Sequence, residues 1–240
     1  MKLRIGIIGC GGIATGKHLS ALKSNGDLCE VVAFCDGILD RAKKAAQEYG
    51  VENAQVCQNY KELLANPNVD VVYVLTPNIS HSPIAVDAFH AGKHVMCEKP
   101  MAINTAEAEK MMAAWKESGK KFSIGYQNRY RADVRHLHSA CQNGDLGEIY
   151  YAKAYAIRRR GVPTWGSFIQ GSQQGGGPLI DIGTHSLDLA LWLMDNYDVE
   201  SVTGTVFKKL GKLPQATDGN LWGAWDTSKY DVEDSAIGYI

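Results

Sequence analysis

Leu3-Arg4-Ile5-Gly6-Ile7-Ile8-Gly9-Cys10-Gly11-Gly12-Ile13-Ala14 reads as a buried strand running into a glycine-rich turn and the mouth of a helix. Its last six residues fit G-x-G-x-x-G/A. Gly9 permits the tight turn, Gly11 lets a pyrophosphate approach the backbone with no side chain in the way, and Ala14 keeps the helix close to the sheet. The helix N-terminus then faces the phosphate charge, with Gly12 and Ile13 beside it. Taken alone, the pattern also suits a purely structural turn. Asp36 tips the balance, because it closes the next strand candidate, Val31 to Cys35, where a carboxylate can accept hydrogen bonds from both ribose hydroxyls of an adenosine. A carboxylate there repels the extra phosphate of NADP, so the sequence predicts NAD. NADP stays open because Arg41, five residues on, either neutralises that phosphate or is an ordinary exposed helix arginine.

Working outward, strand candidates at Leu3 to Gly9, Val31 to Cys35, Val69 to Leu75, His94 to Cys97 and Phe122 to Gly125 alternate with helical patterns over 12–25, 38–49, 80–91 and 104–119. The last helix opens on Asn104 as N-cap, with Glu107 three positions later. The alternation predicts an α/β Rossmann domain over residues 1–125, a parallel sheet with helices on both faces. Beyond it the pattern changes to a helix near 131–143, a long strand over 148–158, a helix over 181–194, and strands near 199–207 and 234–240. Residues 126–240 therefore read as an α+β domain with a mostly antiparallel sheet.

The 240 residues carry 25 basic and 26 acidic groups without long runs, so neither a nucleic-acid footprint nor a basic membrane-binding face is expected. The apolar start is broken by four glycines and lacks a signal-peptide cleavage site, and no apolar run is long enough to span a bilayer. Cysteines 10, 29, 35, 57, 97 and 141 form no C-x-x-C pair and fall mostly in strand-like segments, which predicts reduced thiols in a cytoplasmic protein and no metal site.

Three further stretches carry chemistry. Thr76-Pro77-Asn78, with His81, follows the strand ending at Leu75, and loops at strand C-termini line the ligand crevice of such a sheet. The same residues also make an ordinary Pro turn with Ser80 capping a helix. Glu98-Lys99-Pro100 ends the next strand. The Lys99 ammonium there either holds a reacting oxygen and stabilises its developing charge or pairs with a neighbour at the surface. In Gly175-Gly176-Gly177-Pro178-Leu179-Ile180-Asp181-Ile182-Gly183-Thr184-His185-Ser186-Leu187-Asp188, the groups Asp181, His185 and Asp188 share one face of an apolar helix. His185 there is an acid/base oriented by a carboxylate or a hydrogen-bonded structural histidine.

These motifs together, with Gly125-Tyr126-Gln127-Asn128-Arg129 and Arg158-Arg159-Arg160-Gly161-Val162-Pro163 before Trp165-Gly166, resemble the Gfo/Idh/MocA family of oxidoreductases over nearly the whole chain. The resemblance implies an NAD(P)-dependent dehydrogenase acting on the CH-OH group of a sugar-like or cyclic polyol substrate. It implies Lys99, Asp181 and His185 as the catalytic set, with His185 the acid/base, Lys99 polarising the reacting oxygen and Asp181 orienting. Gly9, Gly11, Gly12, Ile13, Asp36, Thr76, Pro77, Asn78, His81, Glu98, Lys99 and Gln127 would face the cofactor, and Arg129, Arg160 and Trp165 the substrate pocket. An NAD-dependent glycosidase and a non-catalytic NAD-binding sensor are the alternatives within the same resemblance. Relatives continue with more strands than Asp234 to Ile240 supplies, so the reading expects a chain shortened at its C-terminus, an unpaired sheet edge and homo-oligomer contacts through the second-domain sheet.

Overall fold

The computed structural model describes residues 1–164 and 166–240. The chain divides into two compact units, Met1–Gly125 and Tyr126–Ile240. In the first, β1 (Leu3–Ile8), β2 (Cys29–Cys35), β3 (Gln55–Cys57), β4 (Val71–Val74), β5 (His94–Cys97) and β6 (Phe122–Ile124) form a sheet of order β3-β2-β1-β4-β5-β6. Every pairing is parallel. Strands covered on both faces must be apolar throughout, and Ile5, Ile7, Val72, Val74, Val95 and Cys97 are all buried. After β3 the chain returns to the far side of β1, so the loops following β1 and β4 leave the sheet side by side and open the crevice in which doubly wound folds bind ligands.

The connecting helices are α1 (Leu19–Ser24), entered through a π turn at Ala14–His18, then α2 (Leu39–Tyr49), α3 (Tyr60–Leu64), α4 (His81–His90) and α5 (Thr105–Ser118). The Asn104 side chain accepts the Glu107 N–H at 2.9 Å, and Gly119, at φ 63°, ends the helix in the left-handed conformation that glycine adopts without penalty. Sequence periodicity passes over β3 and α3. A three-residue strand is too short to show a period and is fixed instead by its register, Ala33 to Gln55 through Cys35 to Cys57.

The second unit holds α6 (Ala132–Gln142), α7 (Gly171–Gln174) and α8 (Thr184–Met194), the last entered through a π turn at Leu179–Gly183. Its sheet is the antiparallel pair β7 (Thr203–Phe207) and β8 (Ser235–Tyr239), in register from Thr203 opposite Tyr239 to Phe207 opposite Ser235. The strand expected over 148–158 does not form: that stretch carries no strand, and Tyr150, Tyr151, Tyr155 and Ile157 are exposed. Alternating side chains suit a sheet, but a strand exists only with a ladder partner, and among the described residues none pairs with this stretch. The buried apolar cluster of this unit is Ile169, Tyr230 and Val232.

Candidate functional site

The glycine turn after β1 is built around two constraints. Gly9 sits at φ +95°, and a Cβ on it would lie 2.6 Å from the Leu75 carbonyl oxygen, so the turn can pass beside the β4 loop only with glycine. Gly11 and Gly12 differ: nothing lies within 4 Å of where their Cβ atoms would be. They leave an open cradle at the helix entrance, with Ile13 exposed beside it. Asp36 closes the far side. Its Oδ2 accepts the Cys10 N–H and its Oδ1 the Ile38 N–H, each at 2.8 Å, which pins the carboxylate at the end of β2 and leaves lone pairs on both oxygens for ribose hydroxyls. Cys10, between the glycines, is buried, and burial followed by the Asp36 charge pushes its thiol up to about 12, which keeps it inert.

The loop after β4 supplies a second wall. Asn78 is buried there, and the Thr76 hydroxyl is a buried oxygen with no hydrogen-bond partner among the described residues. A buried orphan hydroxyl beside an open glycine cradle suits a ligand that brings its own polar atoms. A dinucleotide therefore fits these residues. His81 does not belong to that wall. Its ring is fully buried between the β4 and β5 loops, with Nδ1 2.8 Å from the Pro100 carbonyl oxygen and Nε2 2.9 Å from that of Thr76, and in its neutral form it donates to one of the two. Burial holds its imidazolium below the usual range, against the opposing pull of the Pro100 and Thr76 carbonyls and the Glu98 charge.

Glu98, Lys99 and Pro100 leave the end of β5 on the same edge. The Glu98 N–H continues the ladder to the Val74 carbonyl at 3.0 Å, and the Lys99–Pro100 peptide is cis. The Glu98 carboxylate is committed on both oxygens: Oε2 accepts the Lys99 N–H at 3.1 Å, and Oε1 lies 2.7 Å from His18 Nε2. His18 is absent from the sequence-derived site. In sequence it is one polar position of an ordinary amphipathic helix, and only the fold carries it to a residue eighty positions away.

In the second unit, the π turn at Leu179–Gly183 carries Asp181, and His185 follows in the first turn of α8. The i to i+5 winding displaces Asp181 from the face that α-helical spacing gives it, while His185 and Asp188 keep theirs. Single π turns recur at functional positions, and the helix behind the glycine turn and the helix of His185 each begin with one. His185 is buried, edge-on to the Tyr126 ring at 6.1 Å, and the Tyr126 hydroxyl bonds Thr184 Oγ1 at 2.9 Å. Asp188 is taken by Arg129, whose Nε donates to Oδ2 at 2.8 Å and whose Nη2 donates to Oδ1. The Arg129 guanidinium also lies over the Trp192 ring. Arg129, expected at the substrate pocket, is thus a structural partner of α8. Arg160 is likewise engaged, donating to the Asp218 carbonyl within an exposed loop, and Gln127 stands in the short turn Gln127–Tyr130 before α6. Trp165 lies outside the described residues. Among the described residues, no group of three or more His, Cys, Asp and Glu side chains is arranged to hold a metal, and no helix is long and apolar enough to cross a membrane.

The chain is similar to known oxidoreductases in sequence and in fold. D-Glucoside 3-dehydrogenase of Escherichia coli K12 is 42% identical over 238 residues, covering 99% of this chain and 66% of that protein. The solved structure of aldose-aldose oxidoreductase from Caulobacter crescentus, complexed with glycerol, superposes with a TM-score of 0.79 at 29% identity, covering 99% of this chain and 67% of that one. The WlbA dehydrogenase of Bordetella pertussis, in complex with NADH and UDP-GlcNAcA, gives 0.76 at 26% identity, covering 99% and 66%. The chain spans 55 to 66% of the length of the dehydrogenases and reductase it matches among curated relatives. Residues 3–126 match the family model of an oxidoreductase family with an NAD-binding Rossmann fold, and residues 134–240 match the model of its C-terminal domain. With the glycine cradle, Asp36 and the Glu98-Lys99-Pro100 edge, those two matches assign the chain to the Gfo/Idh/MocA family of oxidoreductases.

Proposed function

We propose that this protein oxidises a secondary ring hydroxyl of a sugar-like or cyclic polyol substrate, a glucoside foremost, with NAD as acceptor. The observation that carries the reading is the shared edge of one sheet: Lys99 leaves the end of β5 where the glycine turn of β1 and the orphan Thr76 hydroxyl of the β4 loop also end. The similarity to a D-glucoside 3-dehydrogenase over the full chain supports the substrate class.

Gly11, Gly12 and the helix entrance behind them would hold the pyrophosphate, Asp36 the adenosine ribose, and Thr76, Pro77 and Asn78 the remainder of the dinucleotide. The nicotinamide ring, when bound, supplies the carbon that accepts a hydride. The protein's own task is the other half of the oxidation. As the substrate C–H bond breaks and its electron pair leaves, the hydroxyl proton passes to His185 and the carbon–oxygen bond becomes double. Lys99 holds that oxygen and stabilises the charge that develops on it, and Asp181 orients the substrate or His185. Asp36 favours NAD over NADP because it would meet the 2′-phosphate at hydrogen-bonding distance.

The free thiols, five of them buried, support a reducing compartment, which we take to be the cytoplasm. The exposed Tyr150, Tyr151, Tyr155 and Ile157, in a stretch that reaches the Ser186 hydroxyl of α8 through the Tyr155 carbonyl, support self-association through the second unit. Absorbance at 340 nm tests the reading. Glucosides, free sugars and inositols offered with NAD should give NADH with at least one class, and a protein that binds NAD but reduces none of it with any class is not this dehydrogenase.

A further inference from the structure

The pair formed by His18 and Glu98 is unusual for its place. Its side chains are only 15% and 13% exposed, and the two oxygens of one carboxylate divide between the His18 ring and the Lys99 backbone. Three separate parts of the first unit make room for it. The π turn at Ala14–His18 delivers the histidine from the helix behind the glycine cradle, and the Tyr73 ring of β4 supports it edge-on at 5.8 Å. At the end of β6, Gly125 leaves bare the space where a Cβ would stand 3.1 Å from Glu98 Oε1. On the other flank of Lys99, the Pro100 carbonyl lies 2.8 Å from the buried His81 ring.

We propose that His18 is a positioning residue for Lys99, acting through Glu98: its ring fixes the carboxylate that in turn fixes the Lys99 amide, and so sets where the lysine leaves the sheet edge. A carboxylate without a second partner would be free to rotate and release the Lys99 N–H, whereas one held at both oxygens cannot. The same bond joins the helix behind the nucleotide cradle to the lysine loop, so one contact spans both parts of the first unit's site. Its catalytic consequence rests on the dehydrogenase reading, but the geometry does not.

The test uses the full chain with lysines 13C-methylated by reductive alkylation, the Lys99 resonance being identified by its loss in Lys99→Arg. In His18→Leu this resonance should move to the position of the exposed lysines. In His18→Gln, whose Nε2 can still donate to Glu98, it should stay near the wild-type position. A resonance unmoved in His18→Leu, or moved equally in His18→Gln, overturns the proposal. If His18→Leu does not fold, Glu98→Ala gives the same reading, because it removes the carboxylate that accepts the Lys99 N–H and meets the His18 ring. On turnover, His18→Leu should lose ~10–100-fold in kcat with KM for NAD unchanged, while His18→Gln stays within about twofold. Resonances that behave as expected in a chain without any turnover contradict the dehydrogenase reading alone.

Discussion

The two units are held together by different means. In the first, six parallel strands bury large apolar side chains on both faces, and its polar contacts fasten loops to an already packed sheet. In the second, three buried apolar residues form the cluster, and loops are tied by side chains bonded to distant backbone. Glu233 accepts the Gly177 N–H, Asp234 those of Leu210 and Gly211, and Asp231 that of Gly171. Apolar burial is non-directional and tolerates small shifts, whereas such hydrogen bonds are lost whole. The first unit therefore holds its strand-end loops on a stiff sheet, and the second holds its loops by bonds that are each lost or kept separately.

The largest expected effect lies at the edge of that stiff sheet. Lys99→Ala should lower kcat by about 10³-fold, as removal of an oxyanion donor does, without shifting the melting temperature or NAD affinity. A loss of NAD binding of the same size would move Lys99 from the chemistry to the cofactor. The two glycine positions separate fold from site within a few residues. Gly9→Ala should destabilise the first unit by about 2–3 kcal/mol, because a left-handed residue is forced against the Leu75 carbonyl. Gly11→Val should leave the melting temperature alone and weaken NAD at least about tenfold. Calorimetric melting and NAD titration of both variants check this, and equal melting losses would contradict the open cradle.

In the second unit, Arg129→Met leaves Asp188, a part-buried carboxylate, without its bidentate partner. The expected loss is about 2 kcal/mol, below the ~3–5 of a fully buried pair because Arg129 is part-exposed. Amide hydrogen exchange should place that loss in α6 and α8, with the β1 to β6 sheet unchanged. The smallest effect is on pH. Because burial lowers the His81 pKa in the folded state, the unfolded chain takes up the proton first. The contribution of His81 is whole above the unfolded value of about 6.5, shrinks as pH falls from there to the folded value, and is constant below it. Denaturant melts at pH 7.5 and 5.5 should show a first unit that weakens more on acidification than in His81→Gln.

Much of the first unit was legible in the sequence because its signals are local. Gly9, Gly11, Asp36 and Lys99 each stand at a strand end that apolar runs mark, and Asn104 caps the helix it precedes. What escaped is made of distance. His18 gains meaning only beside Glu98, and His81 reads as a crevice residue until the fold closes over it. Arg129 and Asp188 are each plausible site groups until they meet. The segment 148–158 shows the converse, since alternation is a necessary mark of a strand and becomes one only when a neighbour supplies the ladder.

The central claim, that hydride leaves a sugar carbon for nicotinamide on this chain, is tested most directly by isotope transfer. Methyl glucoside deuterated at carbon 3 is incubated with the protein and NAD, and the recovered dinucleotide is weighed by mass spectrometry. Reduced cofactor heavier by one deuterium is expected, and none with Lys99→Ala over the same interval. Reduced cofactor without the label would place the oxidised carbon elsewhere on the ring, and bound NAD that stays fully oxidised with every deuterated sugar and inositol would contradict the account.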